Sequence, residues 1–247
     1  MKVTPIKLGK LVPPQDDLLK KIIAAKPKIK EHDVIVLTSK VVSIWQGRCI
    51  EIDSADKDDL ARIESEQYIK RDILPGGNRF FTIKEGFLIS SAGIDESNAN
   101  GYYILWPKDL QKTAQKLLIW FKKEYKKKNL YLIITDSHSI PLRRGAIGFT
   151  IAWAGFNPIY DYRGQKDIFN RPFKFVQTNI ADSLAAAATL VMGEGAEQTP
   201  LAIISGAPYI RKNIKKSRKK FSSFQVPIKE DVYRLFLENE NWKQGGK

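Results

Sequence analysis

A single cysteine, Cys49, excludes an internal disulfide, and nothing around it stands at metal-ligand spacing. It is expected as a reduced thiol in a strand. Histidine is as scarce, with His32 and His138 the only two. His32 opens a strand and is expected at the surface; His138 is expected in a loop that shapes a site, not as a base. No apolar run approaches the roughly 18 residues of a membrane span. The opening MKVTPIKLGK lacks the apolar core of a signal peptide, so a reducing cytoplasmic setting is expected. Strings of the type GxxxxGK[ST], GxSxG and CxxC are all missing. A Walker P-loop, an α/β-hydrolase elbow and a thioredoxin-type motif are thereby excluded. A Ser/His/Asp triad would have to draw on His138, two residues from Asp136, and is not expected.

What is present suits a globular protein. At 43% hydrophobic and 28% charged, the chain has enough apolar surface for a core. Its 247 residues suffice for one large domain or two modest ones. The net charge of +14 is uneven, because residues 211–220 hold seven Lys or Arg and no acid. Such a run is usually a solvated tail. It would also draw RNA, an anionic membrane surface or a polyanionic substrate.

Along the chain, a strand near Val3 to Leu8 precedes Pro13-Pro14, and a helix is expected from Gln15. Val34 to Thr38 reads as a strand, and a second strand-like run starts at Val41 and turns at Gly47. Residues 56–70 read as a charged, exposed helix. Residues 80–91 signal a hairpin about Lys84-Glu85-Gly86. Tyr102 to Trp106 is a strand, and Leu110, Ala114, Leu117, Leu118 and Phe121 mark a long amphipathic helix. Leu130 to Ile134 is a strand, and residues 145–155 fit helix and strand equally. Ile180 to Met192, with five alanines, reads as a buried helix ending at Gly193. Leu201 to Ser205 is a strand, and residues 231–240 form a last helix. Without regular βα alternation the expected class is α+β, with mixed sheets and packed helices.

Two strings point to chemistry. SAGIDESN (91–98) follows the apolar run Phe87-Leu88-Ile89, and ITDSHSIPLRRG (134–145) ends the run from Leu130. Each places an aspartate, Asp95 or Asp136, at the end of a strand, where loops on a rigid sheet carry function. Two carboxylates brought to about 4 Å repel by roughly 4 kcal/mol at an effective dielectric near 20. A divalent cation removes that repulsion, and carboxylate oxygens suit Mg²⁺ or Mn²⁺. In MGEGAEQT (192–199), Gly193 alone would cap the preceding helix. Gly195, Glu194 and Glu197 exceed what a cap requires; a phosphate-approaching turn with an acidic metal ligand and a plain turn weigh equally there. Arg163, Lys166 and Arg171, in DYRGQKDIFNR (161–171), suit carboxylate or phosphate, although a salt-bridged surface turn accounts for them alone.

Taken in order, TSKVVSIWQGR (38–48), SAGIDESN, ITDSHSIPLRRG, DYRGQKDIFNR and VMGEGAEQTP (191–200) resemble one family, the coenzyme F-420-0:L-glutamate ligases. The likeness spans roughly residues 1–206, read as a catalytic domain with possible subdomains, with 207–247 a basic extension ending in a helix. The resemblance implies an α+β fold, a homodimer, and a GTP-dependent amide ligase requiring Mg²⁺ or Mn²⁺. The γ-phosphate passes to a substrate carboxylate, and the amine of L-glutamate attacks the acyl phosphate. Position by position, it implies Asp95 and Asp136 as catalytic metal ligands, with Ser137 and Glu194 completing the shell. Ser39, Lys40, Asn98, Gly193, Gly195 and Thr199 fall on nucleotide-binding stretches. Arg143, Arg144 and Arg163 are candidates for the acidic acceptor or the transferred phosphate. The chain departs from the family pattern at Ile44, where a second lysine is usual, at Gln46, where an acid is usual, and at Ser137-His138-Ser139. The acceptor is a deazaflavin cofactor precursor or, as an alternative, folate. A reading from another class is a non-catalytic RNA-binding protein using the lysine-rich run; it leaves both aspartates without a purpose and ranks below the ligase.

Overall fold

The computed structural model describes residues 1–70, 80–210 and 225–246. In chain order the elements open with β1 (Lys2–Ile6), α1 (Leu18–Ala25), β2 (Val34–Thr38), α2 (Ser39–Trp45), β3 (Cys49–Glu51) and α3 (Lys57–Glu64). Then come β4 (Gln67–Ile69), β5 (Phe81–Lys84), β6 (Phe87–Ser90), β7 (Tyr102–Ile104) and α4 (Leu110–Glu124). The long strands β8 (Tyr131–Ser139) and β9 (Ala146–Ala154) precede the short β10 (Ile159–Asp161) and β11 (Gln177–Asn179). Last come α5 (Ile180–Met192), β12 (Leu201–Ser205), α6 (Arg234–Leu237) and β13 (Lys243–Gln244). The fold is α+β. Among the described residues no helix is long and apolar enough to cross a membrane.

The chain divides into two compact units. Described residues of 1–10, 19–39 and 109–210 form the first, and those of 11–18, 40–108 and 225–246 form the second. The first unit is built on a five-stranded sheet ordered β1-β12-β2-β8-β9, in which only β2 and β8 run parallel. Val34 and Val36 of β2 join Ile133 of β8 in a core with Ala181, Leu184, Ala185 and Ala188 of α5. Helix α4 packs against β8 and β9. Burial of successive residues in β2 and at the start of β8 explains why VIVLT and YLIIT read as continuous apolar runs.

The alanines of α5 let it lie close to β9. Gly148 of β9 completes this contact, since a Cβ there would sit 2.0 Å from the Thr189 hydroxyl. Gly148→Ala is therefore expected to cost about 1–3 kcal/mol through overpacking, seen as a lower urea midpoint. An unchanged midpoint would mean that α5 is not seated on this strand.

The second unit has an antiparallel sheet ordered β13-β4-β5-β6 and a separate β3-β7 pair. Glu85 (φ 50°) and Gly86 (φ 75°) form the two-residue turn of the β5-β6 hairpin. Positive φ at both positions matches the right-handed twist of the strands. Its core gathers Leu60, Ala61, Phe80, Ala92, Ile94, Tyr103 and Leu105. Beside it lies a charged cluster in which Glu64 pairs with Arg48 at 2.7 Å and with Lys84 at 2.6 Å. Lys84 is only 8% exposed. Burial alone would raise the Glu64 carboxyl, but hydrogen bonds and charge from Lys84 and Arg48 outweigh it and hold it below its ordinary value. Burial pushes the Lys84 ammonium below the usual lysine range despite Glu64.

Several local expectations differ from this structure. The run from Val41 is helical, because Val41, Val42 and Ile44 can be buried by one face of α2 as well as by a strand. Gly47 (φ 70°) then ends that helix, with Arg48 N–H reaching back to the Ser43 carbonyl. Residues 56–70 split into α3 and β4, and the last helix shrinks to α6. Residues 145–155 are mostly strand, as β9. The basic run at 211–220 lies outside the described residues.

Candidate active site

In the first unit, pairing brings the singled-out residues to one sheet edge. Thr38 lies opposite Thr135 in the parallel β2-β8 pair, so the following residues, Ser39 and Asp136, leave the same end. Thr38 N–H also donates to the Pro200 carbonyl, and β12 starts antiparallel to β2 at Leu201. The turn at 193–199 therefore reaches that edge too. Carboxyl ends of parallel strands are where open sheets of this kind bind ligands.

Asp136 does not end its strand. Strand β8 continues to Ser139, because the polar TDSHS segment keeps the backbone ladder with β9. A β-bulge interrupts the register between Ile134 and Thr135, immediately before Asp136. Bulges re-aim side chains beside functional sites. Asp136 Oδ1 accepts the Ser137 N–H at 2.9 Å. His138 belongs to β8 and not to a loop, with its ring 4.4 Å from that of Phe149. Burial lowers its basicity, opposed only in part by the nearby Asp182 carboxylate.

Asp182 is a partly buried carboxylate near His138 that no motif marks. It is held in the first turn of α5 by Thr150 N–H at 2.8 Å and Asn179 Nδ2 at 2.6 Å. Burial raises its carboxyl above the ordinary range. Asn179 caps α5, its Oδ1 accepting the Asp182 N–H, a pairing that the sequence spacing Asn-x-x-Asp allows.

The glycine turn is closed by its own acid. Glu197 accepts the Gly195 N–H at 2.8 Å, and a Cβ on Gly193 would meet its carboxylate carbon at 2.4 Å. Glu194 is exposed. Thr199 donates its hydroxyl to the Met192 carbonyl and so ties the turn to the end of α5. Arg143 and Arg144 sit on the exposed stretch joining β8 to β9. Arg163 forks onto the Asp161 carboxylate, with Nε 2.9 Å from Oδ1 and Nη2 2.7 Å from Oδ2.

The second unit carries Asp95, Lys40 and Asn98. Lys40 Nζ lies 2.7 Å from Asp95 Oδ2 and donates to the Ser97 carbonyl at 2.7 Å and hydroxyl at 3.0 Å. Asp95 Oδ1 accepts the Ser97 N–H at 2.7 Å. Burial would raise this carboxyl, but the Lys40 charge and these hydrogen bonds together hold it below the ordinary range. Lys40 is thus the ion-pair partner of Asp95. Asn98, exposed at φ 53°, follows on the same turn.

The backbone that presents Asp95 is strained. Ser91, Ala92 and Gly93 are consecutively left-handed, with φ of 47°, 52° and 71°. For residues with a Cβ this conformation costs roughly 1–2 kcal/mol each. At Gly93 a Cβ would lie 2.1 Å from Trp106 Nε1, so only glycine fits. Beyond the turn, Asp95 and Ile104 exchange both backbone hydrogen bonds, at 3.0 and 2.7 Å.

The two departures in α2 have structural readings. Ile44 is 2% exposed and packs with Ala99 and Ile104, a setting for a hydrocarbon and not for an ammonium. Gln46 accepts the Lys108 N–H at 2.8 Å and donates to the Lys108 carbonyl at 3.3 Å. An ionised acid there has no donor for the second bond.

Among the described residues no three His, Cys, Asp or Glu side chains cluster as one metal site. Mg²⁺ does not demand such a cage; it is commonly held by one or two carboxylates plus substrate phosphates. Hard oxygens on Asp136 with the Ser137 hydroxyl in the first unit, and separately on Asp95 in the second, are donors that suit such a cation.

Comparison with known proteins gives matches over most of the chain. The F420-0:Gamma-glutamyl ligase family model matches residues 6–206. The chain is 30% identical to the Coenzyme F420:L-glutamate ligase of Methanopyrus kandleri, over 95% of this chain and 98% of the relative. It is 33% identical to the Methanocaldococcus jannaschii protein of that name, over 87% of this chain and 90% of the relative. The Methanothermobacter thermautotrophicus protein, also so named, is 33% identical over 81% and 86% respectively. With a match of this extent, the chain belongs to the F420-0:gamma-glutamyl ligase family.

Proposed function

We propose that this protein joins L-glutamate to the terminal carboxylate of a coenzyme F420 precursor, using GTP and a divalent cation. In the reaction, the acceptor carboxylate takes the γ-phosphoryl group and GDP leaves. The glutamate amine then attacks the acyl carbon, an amide bond forms, and inorganic phosphate departs with the C–O bond electrons. The observation that carries this reading is the gathering of Ser39, Asp136, Ser137 and the 193–199 turn at one sheet edge in a member of this ligase family.

Asp136 and Ser137 in the first unit are proposed to hold Mg²⁺ or Mn²⁺, and Asp95 in the second is proposed separately as a cation ligand; the cation when bound would supply positive charge against the phosphates. Chemistry of this type asks the protein mainly to position groups and neutralise charge, without a covalent nucleophile. Lys40 pairs with Asp95 and donates to Ser97, tying down the 95–98 turn. Ser39 in the first unit and Asn98 in the second are each proposed as nucleotide contacts, and Arg143, Arg144 and Arg163 are proposed to attract the acidic acceptor. A homodimer is part of the same proposal.

The test incubates the protein with GTP, Mn²⁺ and L-glutamate, with coenzyme F420-0 and reduced folates as separate acceptors. GDP release that depends on coenzyme F420-0, with product heavier by one glutamyl unit, is the expected result. Turnover on folate alone would reassign the acceptor. Salt-sensitive RNA binding without nucleotide binding would favour the non-catalytic reading.

A further inference from the structure

We infer that Thr82, thirteen residues before Asp95, is a positioning residue that sets the aim of the Asp95 carboxylate. The inference rests on the reading of Asp95 as a cation ligand. Thr82 is wholly buried in β5, opposite Ile89 of β6. Valine has the shape of threonine but lacks the hydroxyl, so what the exchange costs depends on how that hydroxyl is used. Here the hydroxyl is used twice. It donates to the Ile89 carbonyl at 2.7 Å and accepts the Ala92 N–H at 2.9 Å.

The second bond lands on the middle residue of the left-handed turn. Ala92 is itself fully buried, so no solvent can take the place of the hydroxyl. Left-handed alanine persists only where its surroundings over-determine it. Those surroundings are the Thr82 hydroxyl on Ala92, the Phe80 carbonyl on Ser91 N–H, and Trp106 against Gly93. Of these, the Thr82 bond comes from a side chain, so a substitution can remove it. Without it, Ser91 and Ala92 can relax toward extended backbone, and Asp95, two residues beyond Gly93, turns with them.

The test compares wild type, Thr82→Val, Thr82→Ser and Asp95→Asn by Mn²⁺ titration followed by electron paramagnetic resonance. Thr82→Val is expected to weaken Mn²⁺ binding by about 10- to 100-fold, the range seen when groups that orient metal ligands are removed. In turnover, the KM for Mn²⁺ should rise while kcat at saturating Mn²⁺ changes much less. Thr82→Ser, which keeps the hydroxyl, should recover most of the affinity; a purely steric role would not be rescued in this way.

Binding that is lost in Asp95→Asn but intact in a folded Thr82→Val would overturn the positioning role alone. Binding that Asp95→Asn leaves untouched would overturn the cation reading and this inference together. Should Thr82→Val fail to fold, hydrogen exchange on wild type decides. Saturating Mn²⁺ is expected to slow exchange at the Ala92 amide, and an unaltered rate with Mn²⁺ bound would overturn the inference.

Discussion

Asp136→Asn should lower turnover by at least about 10³-fold, since losing a cation's charge stabilisation removes several kcal/mol, at about 1.4 kcal/mol per factor of ten. The fold should survive. Asparagine is isosteric and keeps the Oδ1 that accepts the Ser137 N–H. Asp136 is half-buried, at the point where the buried start of β8 gives way to its more exposed end. Circular dichroism and the thermal midpoint should therefore stay near wild type while kcat collapses and Mn²⁺ binding weakens. A variant with wild-type kcat would end the assignment of Asp136 to the cation.

Glu64→Gln should be the opposite kind of lesion, one of stability. It strips the shared counter-charge from Arg48 and Lys84. Removing one partner of a fully buried pair typically costs about 3–5 kcal/mol, and this part-buried cluster should lose somewhat less. Urea unfolding should show this as a much lower midpoint. The pH dependence is a second signature. The Glu64 carboxyl is held below its ordinary value, so its stabilisation is present above the unfolded carboxylate pKa. That stabilisation is lost as pH falls through the depressed folded value. Lys84, depressed by burial, binds its proton less readily when folded, so wild-type stability should rise with pH between its folded and ordinary values. In Glu64→Gln the acid-side dependence due to this carboxyl should vanish. A variant with unchanged midpoint and acid profile would show that the cluster carries no net stabilisation.

The parts of this architecture that were legible in sequence are those where local pattern and tertiary role coincide. α5 was readable from its alanines and its glycine stop, and the β5-β6 hairpin from apolar runs around Glu85-Gly86. Asp95 and Asp136 stood out because polar turns follow apolar runs. Where reading failed, the deciding partner was distant. Val41, Val42 and Ile44 have no period that separates a short helix from a strand. The tail of β8 looked like a loop because its side chains are polar, although strand pairing is a matter of backbone, and β9 supplies it. The Lys40–Asp95 pair joins residues far apart in the chain, and the Thr82 bond to Ala92 needs a hairpin to bring it about. Neither has a signature in its own neighbourhood.

The strand order of the first unit bears on how the chain is made. Strand β2 lies between β8 and β12, yet it is synthesised before either. At about 5–20 residues per second, β8 follows roughly 5 to 20 s later and β12 later still. During that interval VIVLT has its hydrogen-bonding edges open, a state in which nascent chains are prone to associate. That delay is set by topology, and it would persist however stable the finished sheet became.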